Sequence, residues 1–303
     1  MHPFRFGFQA RELHFDEIAS HARAIEDLGF DVMHTWDHVD NGPAPLAPLV
    51  AMAQATTRLR VCPLVLNNDF HHPVHLAREL ATIDHLSGGR LEIGIGAGHS
   101  FNEYVAIGVP FYTPSIRKAR MGEAIEILHS LLEGDEVDFH GEYYRIDGVM
   151  TMRSRQTHVP ILVGVNGRRA LAHAARHADI IGLTMLGRTL GDGNRHEVKW
   201  QENRLDDTVA HLRHEAGSSW PRLELNALVQ AVVVTNNRRQ AAEEIVARTP
   251  GLSVDDALAT PFLALGTHAE IAEHLVACRE RWGVSYYSVR DYAAFAPVIE
   301  RLR

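Results

Sequence analysis

The chain has 303 residues, 46% hydrophobic and 22% charged, a composition ordinary for a soluble globular protein and a length suited to one α/β barrel of about 250 residues or more. Its formal net charge of −8 argues against a general nucleic-acid or anionic-membrane binder, and its longest apolar run falls far short of a membrane span. Cys62 and Cys278 supply no disulfide framework, as suits a reducing cytoplasm.

The first apolar run, "FRFGFQA", reads as a strand, and Arg5, Arg11 and Glu12 around it break any signal-peptide core. It leads into "FDEIASHARAIEDLG", where Ile18, Ala22, Ile25 and Leu28 recur at helical spacing until Gly29 ends the pattern. "FDVMHTWDH" precedes a helix near "LAPLVAMAQAT". "LRVCPLVL" precedes "PVHLARELATIDHLSGG", with Pro73 at a helix start and Gly88-Gly89 at its end. "RLEIGIGAG" precedes "SIRKARMGEAIEILHSLLEG". A decorating hairpin follows in "VDFHGEYYRID", with Gly141 in its turn. "VPILVGV" leads to the helix "RRALAHAARHA", and "DIIGLTML" opens the long polar segment "GRTLGDGNRHEVKWQEN". A helix at "RLDDTVAHLRHEAG", a strand in "LELNALVQAVVV", helices at "RRQAAEEIVAR" and "HAEIAEHLVACRERWG", and a last strand, "SYYSVRD", complete the chain.

That pattern is eight strands, each followed by helix, with no linker to divide residues 1–303 into separate domains. Near-continuous apolar strands mean that both sheet faces are covered. A closed (β/α)8 TIM barrel with insertions is the economical solution, and an open doubly wound sheet is the runner-up. In a barrel, chemistry collects at the C-terminal strand ends. Those ends are polar here: Trp36-Asp37-His38, Asn67-Asn68-Asp69, Ala97-Gly98-His99, Asn166-Gly167-Arg168 and Arg290-Asp291.

With 20 histidines, no single imidazole marks a site. "WDH" is either a loop cap with a surface histidine or a rim aspartate beside a group that moves protons near neutral pH. His71, His72 and His75 crowd together, but Pro73 starts a helix among them and no His-Glu-x-x-His or cysteine-pair spacing is present. They read as solvated imidazoles, and no metal is expected. His173 and His177 stand at i, i+4 on a surface-type helix whose last turn favours cationic side chains. "GVNGRRA" runs from strand to helix, a junction that offers free backbone N–H groups to an anion, with Arg168 as a fork donor. Gly94 and Gly96 match the first two positions of a dinucleotide-binding Gly-x-Gly-x-x-Gly, but the third falls on His99. Bare backbone there lets a flat ring or a phosphate tail lie against the chain; glycines needed to fit a tapering barrel interior are the alternative.

Together these segments resemble the bacterial-luciferase-like superfamily of flavin and deazaflavin oxidoreductases. The matching order is "AIEDLGFDVMHTWDH", "ATTRLRVCPLVLNN", "HPVHLARELATIDHLSGGRLEIGIGAG", "RMGEAIEILHSLLEG", the "FHGEYYRI" hairpin and "VPILVGVNGRRALAHAARHADIIGL". The resemblance implies a barrel with a long insertion, a cofactor across its C-terminal mouth, and a homodimer. The "WDH" end is most similar to the branch that uses the deazaflavin coenzyme F420, with FMN as the alternative cofactor. By position, it implies Asp37 at the deazaflavin head and His38 beside its reactive carbon. Leu64-Val65 would match a non-prolyl cis peptide behind the ring, Ala97 and Gly98 would line the tail, and Asn166, Gly167 and Arg168 would hold its phosphate. The glutamate acid of the branch's sugar-phosphate dehydrogenases is replaced by His99, which argues against a sugar-phosphate substrate. The expected function is hydride transfer between F420 and a small organic substrate, with His38 and His99 handling the proton. An FMN-dependent luciferase-like monooxygenase is the first alternative, and a metal-dependent hydrolase barrel using His71, His72 and His75 is the distant one.

Overall fold

The computed structural model describes residues 1–10, 12–39, 42–189 and 196–303. Eight parallel strands form its centre: β1 (Arg5–Gln9), β2 (Val32–Thr35), β3 (Arg60–Pro63, resuming at Leu66–Asn67), β4 (Ile93–Gly96), β5 (Ile161–Val165), β6 (Ile180–Leu183), β7 (Glu224–Leu228) and β8 (Val284–Val289). The pairing runs from the first half of β3 through β2, β1, β8, β7, β6, β5 and β4 to the second half of β3. The two ends of the sheet are thus parts of one strand, and the ring closes through it. A bridge between Val61 and Leu91 reinforces the seam, with Glu92 N donating to Val61 O at 2.9 Å.

Each strand returns through helix: α1 (Ile18–Asp27), α2 (Ala47–Ala55), α3 (Pro73–Leu86), α4 (Phe101–Ile107) with α5 (Pro114–Glu133), α6 (Arg168–His177), α7 (Glu202–Ala216), α8 (Arg238–Val246) and α9 (Val254–Ala259) with α10 (His268–Trp282), and α11 (Tyr292–Leu302). Strand alternation sorts the side chains. Phe6, Phe8, Met33, Val61, Ile93, Ile95, Val163 and Ile181 belong to the large core shared with the helices. Val32, Cys62, Leu162, Ile180 and Tyr286 form a separate buried cluster inside the ring. At the N-terminal end of the ring, Arg5 pairs with Glu224 at 2.6 Å and with Glu92, and Arg60 pairs with Glu92 at 2.6 Å. This charged layer floors the barrel on the face opposite the strand ends that carry function in such folds.

The hairpin pairs Val137–His140 with Arg145–Val149, with Gly141 in its turn. One strand expectation is corrected. "LELNALVQAVVV" is two strands, because only Glu224–Leu228 stays in the ring. Ala231–Val234 leaves it and pairs in parallel with Leu263–Gly266, while Gln230 N donates to Phe262 O at 2.8 Å. The long polar segment after β6 contains antiparallel strands at Leu186–Thr189 and His196–Val198, and its middle lies outside the described residues.

Candidate active site at the barrel mouth

The chain leaves β2 through Trp36, Asp37 and His38, and the two polar groups serve different ends. Asp37 faces the end of β3, where its Oδ2 accepts from Asn67 N at 2.8 Å and lies 2.9 Å from His71 Nε2. It therefore ties the resumed half of β3 to the end of β2. His38 is exposed, and its Nδ1 lies 2.8 Å from Oε1 of Glu103 in the first turn of α4. The second carboxylate oxygen accepts from Val39 N at 3.2 Å. A carboxylate offers no proton, so Nδ1–H of His38 donates to Glu103 and Nε2 is the atom left to give or take one. The His99 ring stands edge-on to His38, with centroids 5.5 Å apart. Two of the sequence-predicted residues thus meet at the mouth, around a carboxylate that the sequence analysis missed.

The peptide bond between Leu64 and Val65 is cis, at the position the resemblance implied. Leu64 O accepts from Gln9 Nε2 at 2.8 Å, and Gln9 Oε1 accepts from Arg290 Nε at 2.8 Å. Val65 projects toward the bare backbone of the neighbouring strands. A Cβ on Gly94 would lie 2.1 Å from Pro63 O and 3.1 Å from Val65 Cγ1, and one on Gly96 would lie 2.8 Å from Val65 Cγ2. These two glycines make room for the interruption of β3, which is the tapering-interior alternative. Gly98 has φ +70°, and a Cβ there would meet the Tyr104 hydroxyl at 2.1 Å. That hydroxyl lies 3.0 Å from Asn67 Oδ1 and 3.1 Å from Asp69 Oδ2, and burial together with Asp69 holds its pKa above the usual phenol range. Ala97 and Gly98 are held through their carbonyls, which accept from Arg117 Nε at 3.1 Å and from the same guanidinium at 3.4 Å. Arg117 is buried and stacks 4.0 Å over the Phe111 ring.

At the end of β5, Asn166 Oδ1 accepts from the Thr184 hydroxyl at 2.7 Å, and Asn166 O accepts from Lys118 Nζ at 2.6 Å. Gly167 turns the chain with φ +89° and no side chain caps α6, so its first N–H groups lack intrahelical partners. Arg168 is exposed at the first helical position. Burial, with Arg117 adding to it, pulls the Lys118 ammonium below the ordinary lysine range. Lys118, Arg168 and the α6 N-terminus make a cationic cradle. Lys118 was missed because "SIRKAR" reads as an ordinary helix start; only the adjacency of α5 and β5 brings it here. His71 is on Asp37, His72 Nδ1 accepts from Val74 N at 3.3 Å, and among the described residues His71, His72 and His75 do not bring three ligand atoms within 4.8 Å of one another.

The chain is thus a closed parallel (β/α)8 barrel whose strand ends carry a histidine–carboxylate pair and a corner of anion-suited donors. A family model described as luciferase-like monooxygenase matches residues 1–251, and the chain belongs to that family. Over 187 residues it is 36% identical to the F420-dependent glucose-6-phosphate dehydrogenase of Nakamurella multipartita, a match covering 58% of this chain and 55% of that protein. The chain thus spans about half the length of the curated relatives it matches. The coenzyme F420-dependent tetrahydromethanopterin reductase of Methanopyrus kandleri superposes with a TM-score of 0.76 at 18% identity, covering 98% of this chain and 97% of that one. A monooxygenase from Streptomyces bottropensis gives a TM-score of 0.75 at 23% identity, covering 98% and 96%. At these identities the two structures speak for the fold. No described helix is long and apolar enough to cross a membrane.

Proposed function

We propose that this chain is an oxidoreductase that uses coenzyme F420 on a small organic substrate. The observation that carries it is the convergence of His38, Glu103 and His99 at the mouth of the barrel, in a family whose curated relative is named for F420. The cradle fits the coenzyme's phosphate, since Lys118, Arg168 and the uncapped α6 N-terminus are donors suited to an anion. Leu64 and Val65 would stand behind the ring, with Asp37, Ala97, Gly98, Asn166 and Gly167 shaping the rest of the site. When bound, the deazaflavin gives or accepts a hydride; the protein supplies position and proton. His38 gives or takes that proton at Nε2, Glu103 fixes its ring, and His99 shares the task or shapes the substrate pocket.

Titration of the purified protein with reduced F420 and with FMN tests the proposal. F420 should bind at least tenfold more tightly, a difference of about 1.4 kcal/mol. His38→Ala should lower turnover by about 100-fold with coenzyme binding kept, as loss of a general acid or base does. Tight FMN binding with NADH-driven oxygen uptake would overturn the reading in favour of a monooxygenase. Assembly as a homodimer in the cytoplasm belongs to the same proposal, and light scattering that returned a monomer would remove the dimer from it.

A further inference from the structure

We propose that Glu126 on α5, with His173 and His177 on α6, forms a binding site for a divalent first-row transition-metal ion, on the outside of the barrel and apart from its mouth. The two histidines stand at i, i+4 and so share one face of α6. Their ring centroids are 4.4 Å apart. One ligand atom from each of the three residues lies within 4.8 Å of the others. Two imidazoles and a carboxylate, with water in the fourth place, are a donor set that Zn²⁺ accepts.

A second observation points to a ligand. His173 Nε2 is buried without a hydrogen-bond partner, and a buried polar atom left unpaired is costly. It lies against Gly122, one helical turn before Glu126, where a Cβ would come 3.0 Å from that nitrogen. The space the ring enters therefore depends on the missing side chain of α5. On the far side, His177 O lies 3.0 Å from His129 Nε2 of α5, so an ion would complete a brace between the two helices. The histidine pair alone did not reveal this, because the carboxylate comes from a helix some fifty positions earlier in the chain.

The test uses untagged protein freed of metal with a chelator and then titrated with Zn²⁺ by calorimetry and with Co²⁺ by visible absorption. One Zn²⁺ should bind per chain, Co²⁺ should develop ligand-field bands, and Zn²⁺ should raise the thermal midpoint. His177→Ala and Glu126→Gln should each weaken Zn²⁺ binding at least tenfold and abolish the midpoint shift. Asp147→Asn, in the exposed Asp138–His140–Asp147 group, should leave both unchanged. Stoichiometric binding that survives His177→Ala and Glu126→Gln, or no stoichiometric binding at all, would overturn the site.

Discussion

Glu103 is small evidence with large leverage, because each oxygen of its carboxylate has a separate partner. Oε1 meets His38 Nδ1 at 2.8 Å and Oε2 accepts from Val39 N at 3.2 Å, so the residue holds both the imidazole and the loop that carries it. Glu103→Gln keeps the shape but places an amide where one oxygen stood, so either the ring or the loop loses its acceptor. If His38 moves the proton, this variant should lower kcat by about tenfold to 100-fold while leaving the dissociation constant of F420 nearly unchanged, as for an interaction needed in the transition state. Equal kcat values for wild type and variant would reduce Glu103 to a loop contact. The glycines beside it were visible in sequence while their purpose was not. "GIGAG" suggested a bed for a cofactor or a fit to a tapering interior; Gly94 and Gly96 make room for Pro63 and Val65, and Gly98 for Tyr104, which does not exclude the first. His38 was legible from its strand end. Its carboxylate partner lies 65 positions away, and only closure of the ring brings the two together.

The α6 N-terminus shows what elements contribute that single residues do not. Its open N–H groups exist because Gly167 turns the chain out of β5 and offers no capping side chain. Lys118 reaches the same corner from α5, and Arg168 stands at the first helical position. If these groups hold the coenzyme phosphate, Arg168→Ala should raise the F420 dissociation constant by about tenfold, roughly 1.4 kcal/mol, and leave turnover at saturation unchanged, the mark of uniform binding. Equilibrium titration followed by coenzyme-saturated kinetics separates the two quantities. An unchanged dissociation constant would return Asn166 and Gly167 to plain turn chemistry. At this scale the sequence was most readable, since strands buried on both faces are apolar throughout and helices carry a period of their own. It was least readable where two strands adjoin without a polar break, so Ala231–Val234 was merged with β7, and where a four-residue apolar run, Leu263–Gly266, had no partner in view until the fold supplied one.

Across the whole molecule, the interior of the ring is unusually rich in titratable groups. Arg5, Arg60, Glu92 and Glu224 are strand-end residues in sequence and give no hint of sharing a layer. His34 lies above them, fully buried. Its Nδ1–H donates to Cys62 O at 3.2 Å, and its Nε2 accepts from the Ser288 hydroxyl at 3.0 Å and the Tyr286 hydroxyl at 3.2 Å. Burial pulls its pKa down from 6.5 to about 4, so the folded chain keeps this ring neutral where the unfolded chain protonates it. The associated stability is therefore fully present above about pH 6.5 and is lost as pH falls toward about 4, at up to about 1.4 kcal/mol per pH unit. His21, His72, His173 and His274 are shifted in the same direction, each with burial as the largest cause, and they steepen the loss. Glu224, raised by burial with Arg5 opposing and Glu92 adding, works in the opposite sense, since its share of stability is lost as pH rises rather than as it falls. From the His34 shift alone, urea unfolding should thus give a free energy lower by about 2 kcal/mol at pH 5 than at pH 7. In His34→Gln, whose amide can still donate to Cys62 O, the dependence should be shallower by the share of one group. A stability that stays flat from pH 7 to pH 5, or a His34 ring that titrates near its ordinary value by NMR, would mean that the barrel interior admits a proton and that its buried histidine imposes no acid limit on the fold.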